Sequence, residues 1–232
     1  MSATLPPLRS ALDPAGEAFR ARAARMAERL AEVRALQDKV VAASASKAER
    51  FAARGQLLPR ERVAALLDRG SPWLELSPLA GLGMHDDDGK KDVMGGGSIV
   101  GIGVVAGKRV LVSASDSAIK GGTVAPMGLK KALRAQELAR ENKLPLVTLV
   151  ESGGANLLYQ AEIFVDGGRT FANQARLAAA AIPQIAPEVH HEVSPSTGTV
   201  AVWTTNRACC SAYASGGHRA RRRVLHPRGP ER

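Results

Sequence analysis

Residues 146–160, LVTLVESGGANLLYQ, hold the side chains and backbone whose order points most directly to chemistry. An apolar run ends at Val150, and Glu151-Ser152-Gly153-Gly154-Ala155 turns the chain into polar residues. Two consecutive glycines let the backbone turn sharply and let a ligand approach the amides with no Cβ between them. Amides held in this way stabilise a developing oxyanion or form a small anion nest. A tight strand-to-helix turn explains the same residues, and the pattern alone leaves both readings open. Ser152 does not sit in the G-x-S-x-G elbow of a hydrolase. Four of the five histidines lie beyond residue 186, and nothing places the fifth, His85, beside Ser152. A Ser-His-Asp mechanism is therefore set aside. Glu151 reads as an acid or base, or as a cap or partner of a nearby lysine. The cations Lys120, Lys130, Lys131, Arg134 and Arg140 either face a phosphate-rich ligand or make up a solvated helix face.

Two other near-motifs carry less. Asp86-Asp87-Asp88 begins like a calcium loop but lacks the spaced oxygen ligands and terminal Glu, so a solvated turn is expected. Gly101, Gly103 and Gly107 imitate a dinucleotide fingerprint, yet that fingerprint needs a helix directly after the glycines. Here Ala106-Gly107-Lys108 separates two β-rich runs, SIVGIGVV and RVLVSAS, and a hairpin is expected.

The elements that must hold the 151–155 turn are legible from pattern. Residues 1–14 contain three prolines and read as a flexible leader. Phe19, Met26, Leu30, Val33, Leu36 and Val40 then recur at helical spacing within a helical segment spanning 15–49. The stripe lacks clean heptads, so packing along a domain is expected in preference to a coiled coil. Pro59 opens a short helix, PWLEL reads as a strand, and Pro126–Glu141 reads as a helix. LPLVTLV is a strand covered on both faces. A second helix is expected from about Arg169 to Ala181, followed by a strand at Gln184-Ile185. Hairpin, then strand and helix in alternation, predicts an α/β layer with its site at strand C-termini.

Composition narrows the function classes. The chain has 232 residues, 45% hydrophobic but only 3% aromatic, so its core must be aliphatic. No uncharged apolar run is long enough for a membrane span, and the N-terminus lacks the apolar stretch of a secretory signal. The cysteines, Cys209 and Cys210, are adjacent and form neither a disulfide framework nor a metal set, so a cytoplasmic setting is expected. The net charge is +10, and residues 186–232 hold seven Arg, no Lys and three Glu. RARRRVLHPR suggests a basic nucleic-acid-binding protein, but no aromatic residues interleave with the charges, and a charged tail accounts for it.

Several blocks resemble, in order, the carboxyltransferase (beta) subunit of biotin-dependent acyl-CoA carboxylases. They are RGQLLPRERVAALLDRGSPWLEL, the long block from GGGSIVGIGVV through SDSAIKGGTVAPMGLKKALRAQELARENKLPLVTLVESGGANLLYQAEIF, and FANQARLAAAAIPQI. SGGAN is similar to the methylcrotonyl- and geranyl-CoA carboxylase versions; propionyl- and acetyl-type relatives usually carry Arg where this chain has Asn156. The resemblance implies a crotonase-like (ClpP/crotonase) layered fold of β-β-α units, incomplete here, with residues 50–185 as a partial N-terminal carboxyltransferase domain behind the helical segment. It implies carboxyl transfer from carboxybiotin, carried on a partner subunit or domain, to a branched enoyl-CoA such as 3-methylcrotonyl-CoA. No protein nucleophile is needed, and no metal or nucleotide is expected on this chain. Carried over residue by residue, Gly153, Gly154 and Ala155 line the thioester carbonyl. Ser152 and Asn156 shape that turn, Gly121 and Gly122 pack beside it, and Lys120 and Arg134 reach the CoA phosphates. Full-length relatives imply a biotin carboxylase/biotin carrier partner and a homo-oligomer, with no membrane and no nucleic acid. The pattern departs after Ile185: residues 186–232 form an atypical basic tail, of a composition that a shifted reading frame in GC-rich DNA produces, and they are expected to pack poorly. The truncated chain is accordingly expected to be inactive alone. A non-catalytic CoA-binding or assembly module is the alternative.

Overall fold

The computed structural model describes residues 10, 12–84 and 93–186, and the backbone of 201–202 and 223–224. Helix α1 (Glu17–Ala45) is divided between two compact units. The part up to Lys39 belongs to the first, where Phe19, Met26, Leu30 and Val33 of the helical stripe are exposed. From Val40 onward the chain forms the second.

The second unit is built on a five-stranded mixed sheet in the order β1 (Leu74–Glu75), β2 (Ser98–Val105), β3 (Lys108–Ser115), β4 (Leu146–Leu149), β5 (Gln184–Ile185). The first three strands pair antiparallel, and β3, β4 and β5 pair parallel. The expected hairpin is present. Ala106 and Gly107 both take positive φ (50° and 73°), the geometry of a two-residue turn that follows strand twist. Asp68 holds it by accepting from the Ala106 and Gly107 amides at 2.8 and 2.7 Å. The glycines of β2 have a packing reason: a Cβ at Gly101 would strike Trp73, and one at Gly103 would strike Leu67.

Alternation along the strands sorts the core into two layers. Val100, Leu111 and Leu146 point to one face, where Ala135 and Ala139 of α4 (Pro126–Glu141) and Leu177 of α5 (Gln160–Ala179) cover them. Ile99, Val110, Val112, Ala114, Val147 and Leu149 point to the other, under Val63 of α3 (Pro59–Leu66). A short helix α2 (Ala48–Ala52) joins α1 to α3. Hairpin, helix and parallel strand give one β-β-α unit of a mixed α/β layer, the unit that the resemblance implies.

One boundary differs from expectation. Helix α5 starts at Gln160, nine residues before Arg169, and runs straight through Gly167-Gly168. Each internal glycine costs about 1 kcal/mol relative to Ala. Ile163, buried against Leu129 and Leu133 of α4, offsets that cost by anchoring the first turns. No helix among the described residues is long and apolar enough to cross a membrane. The expected poor packing after Ile185, His85 and the Asp86–Asp88 turn lie outside the described residues, except for backbone pairing between β6 (Ala201–Val202) and β7 (Arg223–Val224).

Candidate functional site

Two turns meet beyond the C-terminal ends of the parallel strands β3 and β4. The first is Lys120-Gly121-Gly122, in which all three residues hold positive φ (46°, 64° and 71°). Glycine at two of the three positions eases the run, because a side chain in the left-handed region crowds the following carbonyl, as Lys120 must tolerate. Thr123 closes it by donating from Oγ1 to the Lys120 carbonyl at 2.7 Å. The second is Ser152-Gly153-Gly154-Ala155, reached directly from β4.

The turns are laced together. The Gly153 amide donates to the Gly121 carbonyl at 3.0 Å, and Ser152 Oγ donates to the Gly122 carbonyl at 2.9 Å. The same Ser152 Oγ accepts the Gly154 amide at 3.1 Å. Beyond the turns, Val124 and Ala155 form a parallel bridge, the Val124 amide reaching the Gly154 carbonyl at 2.8 Å and the Asn156 amide reaching the Val124 carbonyl at 3.0 Å. Gly122 and Glu151 pack backbone to backbone, so a Cβ on Gly122 would overlap the Glu151 carbonyl oxygen. Gly153 is close but less tight, with Thr123 Oγ1 and the Gly121 carbonyl 3.1 and 3.2 Å from where its Cβ would lie. Gly121 and Gly154 face open space.

This lacing sorts the amides expected to line a thioester carbonyl. Those of Gly153 and Gly154 already have acceptors, whereas the N–H groups of Gly121, Ser152 and Ala155 have none among the described residues. All three of these residues are exposed. Asn156 turns its side chain inward: Oδ1 accepts the Leu158 amide at 3.0 Å and caps the short turn Leu157–Tyr159. Leu157 and Leu158 stand beside it, 69% and 73% exposed, as an apolar edge.

Three ionic groupings support this end of the sheet, and sequence reasoning missed each of them. Glu151 Oε2 accepts from Ser117 Oγ at 2.7 Å and from Arg62 Nη2 at 2.5 Å. Arg60, two residues from Arg62, makes a two-pronged contact with Glu75 at 2.8 and 3.0 Å. Lys131 was expected among the surface cations but is 5% exposed, donating to the Gly95 and Ser98 carbonyls at 3.0 and 2.7 Å. Burial lowers its pKa from 10.5 to about 8, with Arg60 adding to the fall and Glu75 and Asp116 opposing it. Asp116, also buried, accepts from Ser44 Oγ at 3.0 Å, and desolvation raises its pKa despite that bond. A lysine held by two carbonyls of a glycine turn leaves no signature in local spacing. Of the remaining cations, Lys130 and Arg140 are exposed, and Arg134 is exposed and paired with Glu137 at 3.2 Å. No hydrogen bond or ion pair joins Arg134 to either turn among the described residues. No cluster of three metal-ligating side chains occurs among the described residues either.

Residues 50–202 match the family described as carboxyl transferase domain. The chain is 46% identical over 183 residues to a probable mitochondrial methylcrotonoyl-CoA carboxylase beta chain of Drosophila melanogaster, covering 77% of this chain and 31% of that one. It is 55% identical over 136 residues to the methylcrotonoyl-CoA carboxylase beta chain of Dictyostelium discoideum, covering 57% of this chain and 23% of that one. Among solved structures, the beta subunit of geranyl-CoA carboxylase from P. aeruginosa superposes with a TM-score of 0.70 at 56% identity, over 78% of this chain and 34% of that one. Transcarboxylase 12S, at 22% identity and a TM-score of 0.61, shares the fold over 71% of this chain and 32% of its own. The chain thus spans about a third of the length of the curated relatives it matches at greatest coverage.

Proposed function

The chain belongs to the carboxyl transferase domain family, and from that premise we propose that its two laced turns bind the thioester of a branched enoyl-CoA and polarise it for carboxylation. The observation that carries the reading is the set of exposed amides at Gly121, Ser152 and Ala155 without an acceptor among the described residues, beside the engaged amides of Gly122, Gly153 and Gly154. Removing a γ proton of a 3-methyl-enoyl thioester, conjugated to the carbonyl through the double bond, puts negative charge on the carbonyl oxygen as an extended dienolate. Each fixed N–H aimed at that oxygen is worth about 3 kcal/mol in the transition state. These donors sit on turns pinned to each other by hydrogen bonds and need little reorganisation as charge develops. No side-chain nucleophile is called for, in keeping with a serine whose hydroxyl is committed on both sides.

Carboxybiotin, carried on a partner subunit, would supply the carboxyl carbon, and its freed ureido group would take the substrate proton. The open backbone at Gly121 and Gly154 supports close approach of a flat ring and a thioester together. Leu157 and Leu158 favour a branched, apolar acyl group over a short polar one. Homo-oligomer formation and a biotin-carrier partner belong to the same proposal and rest on kinship with the matched beta subunits.

Calorimetry tests the binding step. 3-Methylcrotonyl-CoA should bind more tightly than CoA lacking the acyl group, and Gly154→Val should weaken the acyl-CoA about tenfold, since a β-branched side chain is forced into a positive φ beside the open amides. Circular dichroism must show that the variant remains folded. Equal affinity of wild type and folded Gly154→Val for 3-methylcrotonyl-CoA would remove this turn from the site.

A further inference from the structure

Helix α3 lies far before the Ser152–Ala155 turn in sequence, yet its Arg62 reaches the residue that leads into the turn. The Arg62 guanidinium meets Glu151 Oε2 at 2.5 Å, and the Arg62 and Glu151 side chains are only 12% and 21% exposed. Ser117, itself buried, donates to the same oxygen at 2.7 Å. Ser117 stands three residues before Lys120, so a single carboxylate oxygen joins the approach to the first turn, the head of the second, and α3. The Glu151 backbone is the surface on which Gly122 packs, and that contact leaves no room for a Cβ. A shift of the Glu151 side chain therefore moves both turns. The amides left open at Gly121 and Ala155 keep their mutual placement only while these turns hold register.

We infer that Arg62 is a positioning residue for the acyl-CoA site, acting through Glu151 and Ser117 to hold the two amide-bearing turns in register. The inference rests on the proposed function for its ligand, but the brace is measurable without one. A partly buried carboxylate deprived of its cation retains, among the described residues, the Ser117 hydroxyl alone, and the loss is felt at the next backbone atoms along. Arginine suits the position because its planar fork is held in a fixed direction, while lysine supplies charge without that geometry.

The test uses the full chain, with amide hydrogen exchange as the first readout and calorimetry with 3-methylcrotonyl-CoA as the second. In Arg62→Ala the Gly153 and Val124 amides, which hold the turns together, should exchange about tenfold faster, while Leu111 and Val147 in the sheet stay within about twofold. Arg62→Lys should recover part of the protection. Glu151→Gln should reproduce the change, and combining it with Arg62→Ala should add little, as expected of partners in one interaction. Acyl-CoA affinity should fall about tenfold in step with turn exchange, at unchanged secondary structure. If Arg62→Ala fails to fold, Arg62→Lys and Glu151→Gln still report on the turns. Unchanged turn exchange in the folded variants, or additive effects in the double variant, would overturn the inference. Absence of acyl-CoA binding by wild type would overturn the proposed function, whereas the exchange result would still decide whether the brace exists.

Discussion

Gly122→Ala tests the meeting of the two turns more sharply than any other single methyl group. Two costs combine there. At φ 71° an L-residue carries a left-handed penalty of about 1–2 kcal/mol. The new Cβ also falls inside contact distance of the Glu151 carbonyl oxygen, a backbone atom that cannot rotate aside. Relieving that overlap requires moving one turn by about 1 Å, and forced backbone shifts in packed regions cost about 1–3 kcal/mol. Together they predict a loss of about 2–5 kcal/mol in urea unfolding. Gly121→Ala is the internal control, since its φ of 64° brings the same left-handed penalty while its Cβ meets nothing within 4 Å. It should lose only about 1–2 kcal/mol. The difference between the two variants isolates the packing of Gly122 on Glu151. Because a displacement near 1 Å can cost about a hundredfold in a positioned reaction, acyl-CoA binding should also suffer more in Gly122→Ala. Equal stability of the two variants would refute the claim that the turns are packed backbone to backbone.

Other perturbations follow from the same contacts. Ser152→Ala removes a hydroxyl that donates to Gly122 and accepts from Gly154, so it should cost about 1–2 kcal/mol in urea unfolding and speed exchange of the Gly154 amide. Lys131 has a folded-state pKa near 8 against 10.5 unfolded, so its contribution is fully present above 10.5 and is lost as pH falls through about 8. Measured against Lys131→Met, wild type should therefore gain stability between about pH 8 and 10.5, by about 3 kcal/mol at most; a flat difference would show that the ammonium is not desolvated. Leu177→Ala opens a cavity between α5 and the sheet at a residue with no exposure, and should cost about 2–5 kcal/mol by thermal or urea unfolding.

What was legible in the sequence was what rests on local period. The β2–β3 hairpin followed from two β-rich runs around Ala106-Gly107, and α4 was framed by Pro126 and Asn142 at the limits that the structure shows. The start of α5 was not, because Gly167-Gly168 is a local stop signal and the contact that overrides it, Ile163 on Leu129 and Leu133, is tertiary. Lys131 was hidden for a similar reason. Its neighbour Lys130 is exposed on the same helix, and only the carbonyls of Gly95 and Ser98 show why the next cation is buried. The Arg62–Glu151 pair joins residues far apart in the chain, so no spacing rule reaches it.

The segment ESGGA illustrates how far a motif can be divided between holding a site and forming one. Glu151 is held by Arg62 and Ser117, Ser152 ties Gly122 to Gly154, and Gly153 is crowded by Thr123 and Gly121 while its amide is bound. Those three identities are explained without any ligand. Gly154 differs: its φ of 91° favours glycine, but the space above it is open, so packing does not exclude a side chain there. Ala155 differs too: its amide, like that of Ser152, lacks an acceptor among the described residues, and it has no side-chain hydrogen bond to tie it into the turn. The motif thus divides into three residues that shape a turn and two that face outward from it. Substitutions at the first three should be visible in stability before any ligand is added, whereas Gly154→Ala should lose affinity for 3-methylcrotonyl-CoA out of proportion to its effect on unfolding. The opposite ordering, with Gly154→Ala unfolding readily yet binding normally once folded, would return the whole segment to a structural role.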